Sequence, residues 1–330
     1  MPASIHSSKI YSIPGLPFIG KSSLAKTLVR GNNLVPNPAS GIIACLIIQM
    51  FYLFNIFIQM KILLNNMSLS NSLRPFKDIG FIPTMGGIHQ GHLSLINKSN
   101  QLCKKTIVSI FLNPKQFNNK KDLKTYPSNL IKDLSILRKS KKIDFVYLPH
   151  FNDIYEDKEK SKILINKRDK ILCAKFRKGH FEGVLDVMNR LTKLIKPKKI
   201  FMGQKDFQQF YLVKKYLENR YKTVVISCKT IRDKNKVALS SRNYLLKKSD
   251  LIIASKLSNK IFQLKKEIKK QKNIKKFLLF KKNEIQKLLK IKIEYLELRS
   301  ITNLKISTTL NKSKIFIAYY INKIRLIDNF

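Results

Sequence analysis

The fold class predicted for the chain is α/β, a parallel sheet with crossover helices followed by a smaller α+β C-terminal domain. Three observations lead there. Strand-like and helix-like segments alternate from Ile79 onward, glycines crowd the turn after the first of those strands, and past about Asn243 the composition shifts to long Lys-rich amphipathic stretches. With 330 residues there is room for a large and a small domain with ample core.

The first segment, 1–59, stands apart from this pattern. From Gly41 to Met60 the chain reads GIIACLIIQMFYLFNIFIQM without a charge, which meets the length criterion for a membrane-crossing helix. Met1 to Ser40 has no periodicity, and Met60 is a plausible start shortly before the alternating pattern begins. A start placed too far upstream accounts for both features, with a membrane anchor or targeting segment as the alternative. Strands are then expected near Ile79–Thr84, Thr106–Leu112, Asp144–Leu148, Lys199–Met202 and Thr223–Cys228. The clearest helix is Glu182–Ile195, where Val184, Val187, Met188, Leu191, Leu194 and Ile195 recur at helical spacing until Pro197 stops the pattern. Those apolar positions read as core. Ser249–Lys290 reads as amphipathic helix with solvated Lys faces, followed by two strand candidates, Ile293–Leu298 and Lys314–Ile321. The expected divisions are therefore 1–59, a larger domain at 60–235 and a smaller domain at 236–330.

Lys and Arg number 65 against 20 Asp and Glu, a formal charge of +45. Such a charge suits nucleic acid or an anionic membrane surface. A binding footprint would cluster on one element, however, and these lysines are scattered among abundant Ile and Asn with no Trp, as A/T-biased coding produces. No nucleic-acid partner is expected on that ground, and a membrane partner is disfavoured. Cys45, Cys103, Cys173 and Cys228 form no C-x-x-C pair and lie near no His at metal-ligand spacing. The four fit a reduced, cytoplasmic protein, and three of them, in apolar or strand-like surroundings, fit small buried hydrophobes.

The chemistry concentrates in Pro83-Thr84-Met85-Gly86-Gly87-Ile88-His89-Gln90-Gly91-His92, directly after a strand and opening a helix. Glycines let backbone N–H groups approach phosphate oxygens, and a helix start offers unpaired donors and a positive dipole end. His89 and His92 are three apart and project from one side of the first turn. Farther on, Lys205 is a compact cation suited to phosphate oxygens. Arg242 offers a planar fork, with the hydroxyls of Ser240 and Ser241 beside it.

H-x-G-H is the motif of the nucleotidylyltransferase superfamily, and alone it leaves the substrate open. The wider string Phe81 to Ile96 resembles the signature of the pantothenate synthetase family, departing at Gly87 where that family usually has Ala. Four further blocks are similar to the same family in the same order. They are Val108–Phe117 with Asp122–Pro127; Phe176–Val184, with Lys178 for the usual Pro; Phe201–Gln209, with Gln204 for Glu; and Thr230–Arg232 with Ala238–Asn243. The resemblance runs from Ile79 to the closing Arg325-Leu-Ile-Asp-Asn329.

It implies a Rossmann-like nucleotide-binding domain with a C-terminal lid, and an enzyme that activates pantoate with ATP as an acyl-adenylate and joins it to β-alanine. The implied catalytic residues are His92, His89, Lys205 and Arg242. ATP contacts carry over to Met85, Gly86, Gly87, Ile88, His89, Gln90, Gly91, His92, Gly203, Gln204, Lys205, Asp206, Ile231, Leu239, Ser240, Ser241 and Arg242. Gln116, Gln209 and Asn113 are implied for pantoate and β-alanine, where neutral amides suit a hydroxylated carboxylate without adding a repelling charge. Mg²⁺ is expected through the ATP phosphates, with Asp206 a candidate contact, and a homodimer is expected. A nucleotidylyltransferase acting on a phosphate ester shares H-x-G-H but gives no reason for the N-P-K-Q-F and G-Q-K-D-F-Q-Q blocks.

Overall fold

The computed structural model describes residues 60–155 and 163–330, and these described residues belong to one compact unit. Nearly all of the apolar run at 41–60, and Cys45, lie outside the described residues. Among the described residues no helix is long and apolar enough to cross a membrane.

Six parallel strands make the main sheet: β1 (Lys61–Leu63), β2 (Ile79–Thr84), β3 (Lys105–Ile110), β4 (Phe145–Tyr147), β5 (Lys199–Gly203) and β6 (Val224–Cys228). Their order is β1-β4-β3-β2-β5-β6. A parallel sheet is covered on both faces, so its strands are apolar throughout, and alternate side chains serve opposite cores. Phe81, Ile107, Tyr147 and Ile200 join one core; Ile82, Val108, Val146 and Phe201 join the other. The long helices between strands are α1 (Asn66–Leu73), α2 (Gln90–Leu102), α3 (Leu130–Ser140), α4 (His180–Ile195) and α5 (Phe207–Leu217). Leu95 and Ile96 of α2 and Leu137 of α3 pack on the second core, while α4 buries Val184, Val187, Met188, Leu191 and Ile195 in the first. The helix foreseen over Glu182–Ile195 thus exists and begins one half-turn earlier, after Gly179 in the left-handed region at φ +77°.

Strand order reverses between β2 and β5, and in such sheets the crevice for ligands lies beyond the carboxyl ends of the strands at that point. The H-x-G-H turn follows β2 and the Lys205 turn follows β5, so two motifs over 100 residues apart in sequence meet there.

The smaller part is α+β, as expected. Helices α6 (Lys248–Glu267) and α7 (Ile274–Leu289) precede an antiparallel sheet of β7 (Lys292–Ser300), β8 (Ser313–Ile321) and β9 (Ile324–Asn329), in that order. Its own core holds Leu257, Ile261, Ile285, Ile315 and Ile317. Tyr295, Leu304, Phe316 and Ala318 instead join the first core of the main sheet, so the two parts share apolar contact.

Candidate active site

The turn after β2 is shaped by Gly86 and Gly87, at φ +84° and +66°, a region costly for any residue with a Cβ. A Cβ at Gly87 would also lie 2.5 Å from the Pro127 carbonyl oxygen and 2.8 Å from Ser241 Oγ. The turn folds its backbone donors inward: Gly87 N–H donates to Asp133 Oδ2 at 2.8 Å and Ile88 N–H to Asp133 Oδ1 at 2.7 Å. Successive amides in such a turn converge on one anion, and here the anion is the buried carboxylate of Asp133 on α3. The amides of Gly87 and Ile88, foreseen as phosphate donors, are therefore already engaged by the protein itself.

His89 caps α2. Its Nδ1 accepts the Gly91 N–H at 3.0 Å, and His92 Nδ1 accepts the His89 N–H at 3.3 Å. Because both Nδ1 atoms accept, the protons of the neutral rings sit on Nε2. The two rings lie 4.2 Å apart between centroids. Burial and then the Lys205 charge lower His89 to about 4, against a smaller opposing pull from Asp206. Burial, His89 and Lys205 lower His92 to about 3. At neutral pH the pair is uncharged and offers N–H donors, not two cations.

Lys205 stands in the short turn Gln204–Asp206 at the end of β5, its Nζ 3.5 Å from Asp206 Oδ1. The Asn329 amide of β9 donates to both Gln204 O and Lys205 O, at 2.7 and 3.0 Å. Gln204, the residue departing from the family's Glu, turns its side chain aside: it donates to Ser227 Oγ at 3.1 Å and accepts from Lys314 Nζ at 3.3 Å. Opposite, Ser241 Oγ donates to Gly87 O at 3.1 Å, and Arg242 Nη2 reaches both oxygens of Asp122 at 2.7 and 3.0 Å.

Every site residue foreseen from the sequence lines one cavity of about 260 Å³, except Gly86, Gly87, Ile88, Gln90 and Gln204. Gln116 sets its amide against the Met85 sulfur. Asn113 is buried and largely engaged, donating to Gly183 O at 3.3 Å and accepting from Tyr155 OH at 3.0 Å. The Gln209 amide has no hydrogen-bond partner among the described residues. Sequence reading missed Asp133, Asp122 and Asn329, each of which acts on a residue far away along the chain. No cluster of three or more His, Cys, Asp or Glu able to hold a metal ion occurs among the described residues, so any metal would rely on a carboxylate such as Asp206 together with a ligand's own oxygens.

Comparison with known proteins agrees with this geometry. The profile of the Pantoate-beta-alanine ligase family matches residues 59–330. The pantothenate synthetase of Flavobacterium psychrophilum is 38% identical over 268 residues, spanning 78% of this chain and 94% of that protein. That of Francisella tularensis subsp. mediasiatica is 40% identical over 273 residues, 80% and 93% of the two chains. Among solved structures, the Thermus thermophilus pantothenate synthetase superposes with a TM-score of 0.77 at 25% identity, covering 82% of this chain and 99% of that one. The Francisella tularensis pantoate-beta-alanine ligase complexed with beta-gamma ATP and beta-alanine gives 0.69 at 36% identity, covering 82% and 97%.

Proposed function

The chain belongs to the Pantoate-beta-alanine ligase family, and we propose that it condenses pantoate with β-alanine by way of a pantoyl-adenylate formed in this cavity. The overall reaction consumes ATP, the nucleotide named for the Francisella tularensis ligase complex, and yields pantothenate, AMP and diphosphate. The observation that carries the reading is the pair of neutral imidazoles beside Lys205 where the sheet order reverses.

In the first step a pantoate carboxylate oxygen bonds to the α-phosphorus of ATP while the bond to the diphosphate oxygen breaks. Two anions approach and charge spreads over the α-phosphate. Fixed donors aimed at that charge stabilise it without the cost of reorganising solvent. His89 and His92 supply Nε2–H donors and Lys205 supplies the cation. Arg242 is held by Asp122 until polyphosphate oxygens replace that carboxylate, with Ser240 and Ser241 adding hydroxyls. Gln209, with its unpartnered amide, and Gln116 serve the pantoate hydroxyls and carboxylate, and Asn113 keeps one amide hydrogen for the same ligand. In the second step the β-alanine amine attacks the acyl carbon, the bond to AMP breaks, and the amine loses a proton.

Mg²⁺ fits as a companion of ATP. Asp206 lines the cavity with a half-exposed carboxylate, and Mg²⁺ is usually held by one or two carboxylates plus substrate phosphates. When bound it would neutralise phosphate charge. We read 60–235 as the domain binding ATP and pantoate and 236–330 as a lid, with 1–59 as an extension. Family resemblance supports a homodimer, and the free Cys103, Cys173 and Cys228 suit a reducing cytoplasm.

The test is His92→Ala. Pantoate-dependent exchange of labelled diphosphate into ATP should fall on the order of 10²-fold with the fold intact. Exchange at the wild-type rate would overturn the assignment.

A further inference from the structure

The two helices of the smaller part carry charge that the ligase reaction does not use. Lysines occur along the whole chain, yet residues 248–289, which hold α6, α7 and the turn between them, carry 13 Lys against 3 acids in 42 residues, whereas 60–235 carry 37 Lys and Arg against 14 acids in 176. The basic surplus per residue is nearly twice as dense on the hairpin. No acid occurs between Glu267 and Glu284, and both of those carboxylates turn to a single lysine: Lys281 Nζ lies 3.7 Å from Glu267 and 2.8 Å from Glu284. Lys269, Lys270, Lys272, Lys275 and Lys276 are left exposed, with no acid partner among the described residues.

Apolar surface sits among these charges. Ile274, Leu278 and Ile285 of α7 are buried in the smaller core, so the opposite side of the helix faces solvent. Lys276, Leu279, Phe280, Asn283 and Lys287 fall on that side at three- and four-residue spacing, and all five are exposed. Leu279 is 60% and Phe280 64% exposed. A single apolar residue on a surface needs no account, whereas an adjacent Leu and Phe between unpaired lysines has the composition of a helix that rests in a bilayer interface. A second copy of the chain would be repelled by the same lysines. Nucleic acid is best met by Arg forks and several stacked rings, and this face has no Arg and one ring. The charge is complementary to anionic headgroups, and the two apolar side chains match the boundary just beneath them. We propose that the outer face of α7, with the α6–α7 turn, docks the protein peripherally on an anionic lipid bilayer. Leu279 and Phe280 enter the headgroup layer, and the lysines around them pair with its negative charge. None of these residues lines the catalytic cavity, so this face can be altered without touching the site.

The experiment is co-sedimentation of the full chain with vesicles of phosphatidylcholine and phosphatidylglycerol, and with vesicles of phosphatidylcholine alone. Wild type is compared with K275E/K276E and L279S/F280S, and thermal unfolding checks that each variant is folded. Wild type should bind the anionic vesicles at least about tenfold more tightly than the neutral ones, and raised salt should weaken that binding. K275E/K276E should lose about 25-fold or more, about fivefold for each lysine near a charged surface. L279S/F280S should lose at least about tenfold while keeping its salt dependence. Both variants should keep the wild-type rate of pantoate-dependent diphosphate exchange. The uncharged run Gly41–Met60 is present in every protein compared, so variants that bind as tightly as wild type, or equal binding to neutral vesicles, would assign the lipid affinity to that run and overturn the proposal. A wild type that ignores vesicles but binds mixed-sequence RNA would overturn it in favour of nucleic acid, and one that binds neither would overturn it outright. If a double variant does not fold, the single substitutions L279S and K276E read the same losses in smaller measure.

Discussion

Replacing Asp133 by Asn tests whether the turn carrying the site is held by an internal anion. The carboxylate receives two backbone donors, from Gly87 at 2.8 Å and Ile88 at 2.7 Å, and is 2% exposed. Asparagine retains one carbonyl oxygen, so one bond survives in weaker neutral form while its NH₂ group faces the other N–H. A charge-assisted bond contributes about 1.5–3 kcal/mol, and a buried donor left unmade costs a similar amount. The expected loss is therefore about 2–4 kcal/mol, which for a domain of this size lowers the melting temperature by roughly 5–12 °C. Because His89 follows Ile88 directly, the displaced turn also moves both imidazoles, and diphosphate exchange should weaken more than ATP binding does. Thermal unfolding and exchange kinetics on D133N and D133A read both effects, with D133A the more damaged. A D133N protein that melts within about 1 °C of wild type and exchanges normally would refute the role given to this carboxylate.

Two further outcomes follow from the geometry. Gly86→Ala places a side chain at φ +84° with its Cβ 2.9 Å from Asp133 Oδ2 and 3.1 Å from Ser128 Cβ, so it should destabilise by about 1–3 kcal/mol; a variant as stable as wild type in a urea titration would contradict the packing. His89, His92 and His180 have folded-state pKa values lowered to about 4, 3 and 3, so below the unfolded value near 6.5 the unfolded chain takes up protons that the folded one refuses. Stability should decline as pH falls from 6.5 toward 4, by up to about 1.4 kcal/mol per pH unit for each histidine, and urea midpoints that stay level between pH 7 and pH 5 would exclude this.

How much of this was legible in the chain depended on distance along it. Strands β2, β3, β5 and β6 announce themselves as apolar runs bounded by turn residues, and α4 as a repeat of apolar positions ended by Pro197. Strand β1 escapes because Lys61–Leu63 directly follows the uncharged run that ends at Met60 and merges with it in the sequence, and β9 because Arg325 and Asp328 interrupt its apolar alternation. The site residues within contiguous motifs were readable because each motif sits at one strand end. Their supports were not: Asp133 acts on Gly87 across 46 residues, Asp122 on Arg242 across 120, and Asn329 on Gln204 across 125. Nothing local marks an aspartate on a helix as the anion of a distant turn. Gln204 shows the converse limit, since the resemblance places it among the ATP contacts, yet its side chain faces Lys314 and Ser227, away from the cavity.

The Asn329 amide has two hydrogens, and both are committed to the carbonyls flanking the Lys205 turn, while Asp328 next to it grips Arg232. The antiparallel sheet and the β5 turn are thereby tied by side-chain hydrogen bonds that any movement of the one against the other would have to break. Across the opposite rim, the Arg242 guanidinium on Asp122 and the Ser241 hydroxyl on Gly87 O join the loop to its neighbours. Opening at that rim would cost the contacts to Asp122 and Gly87 while leaving those that hold the Lys205 turn in place.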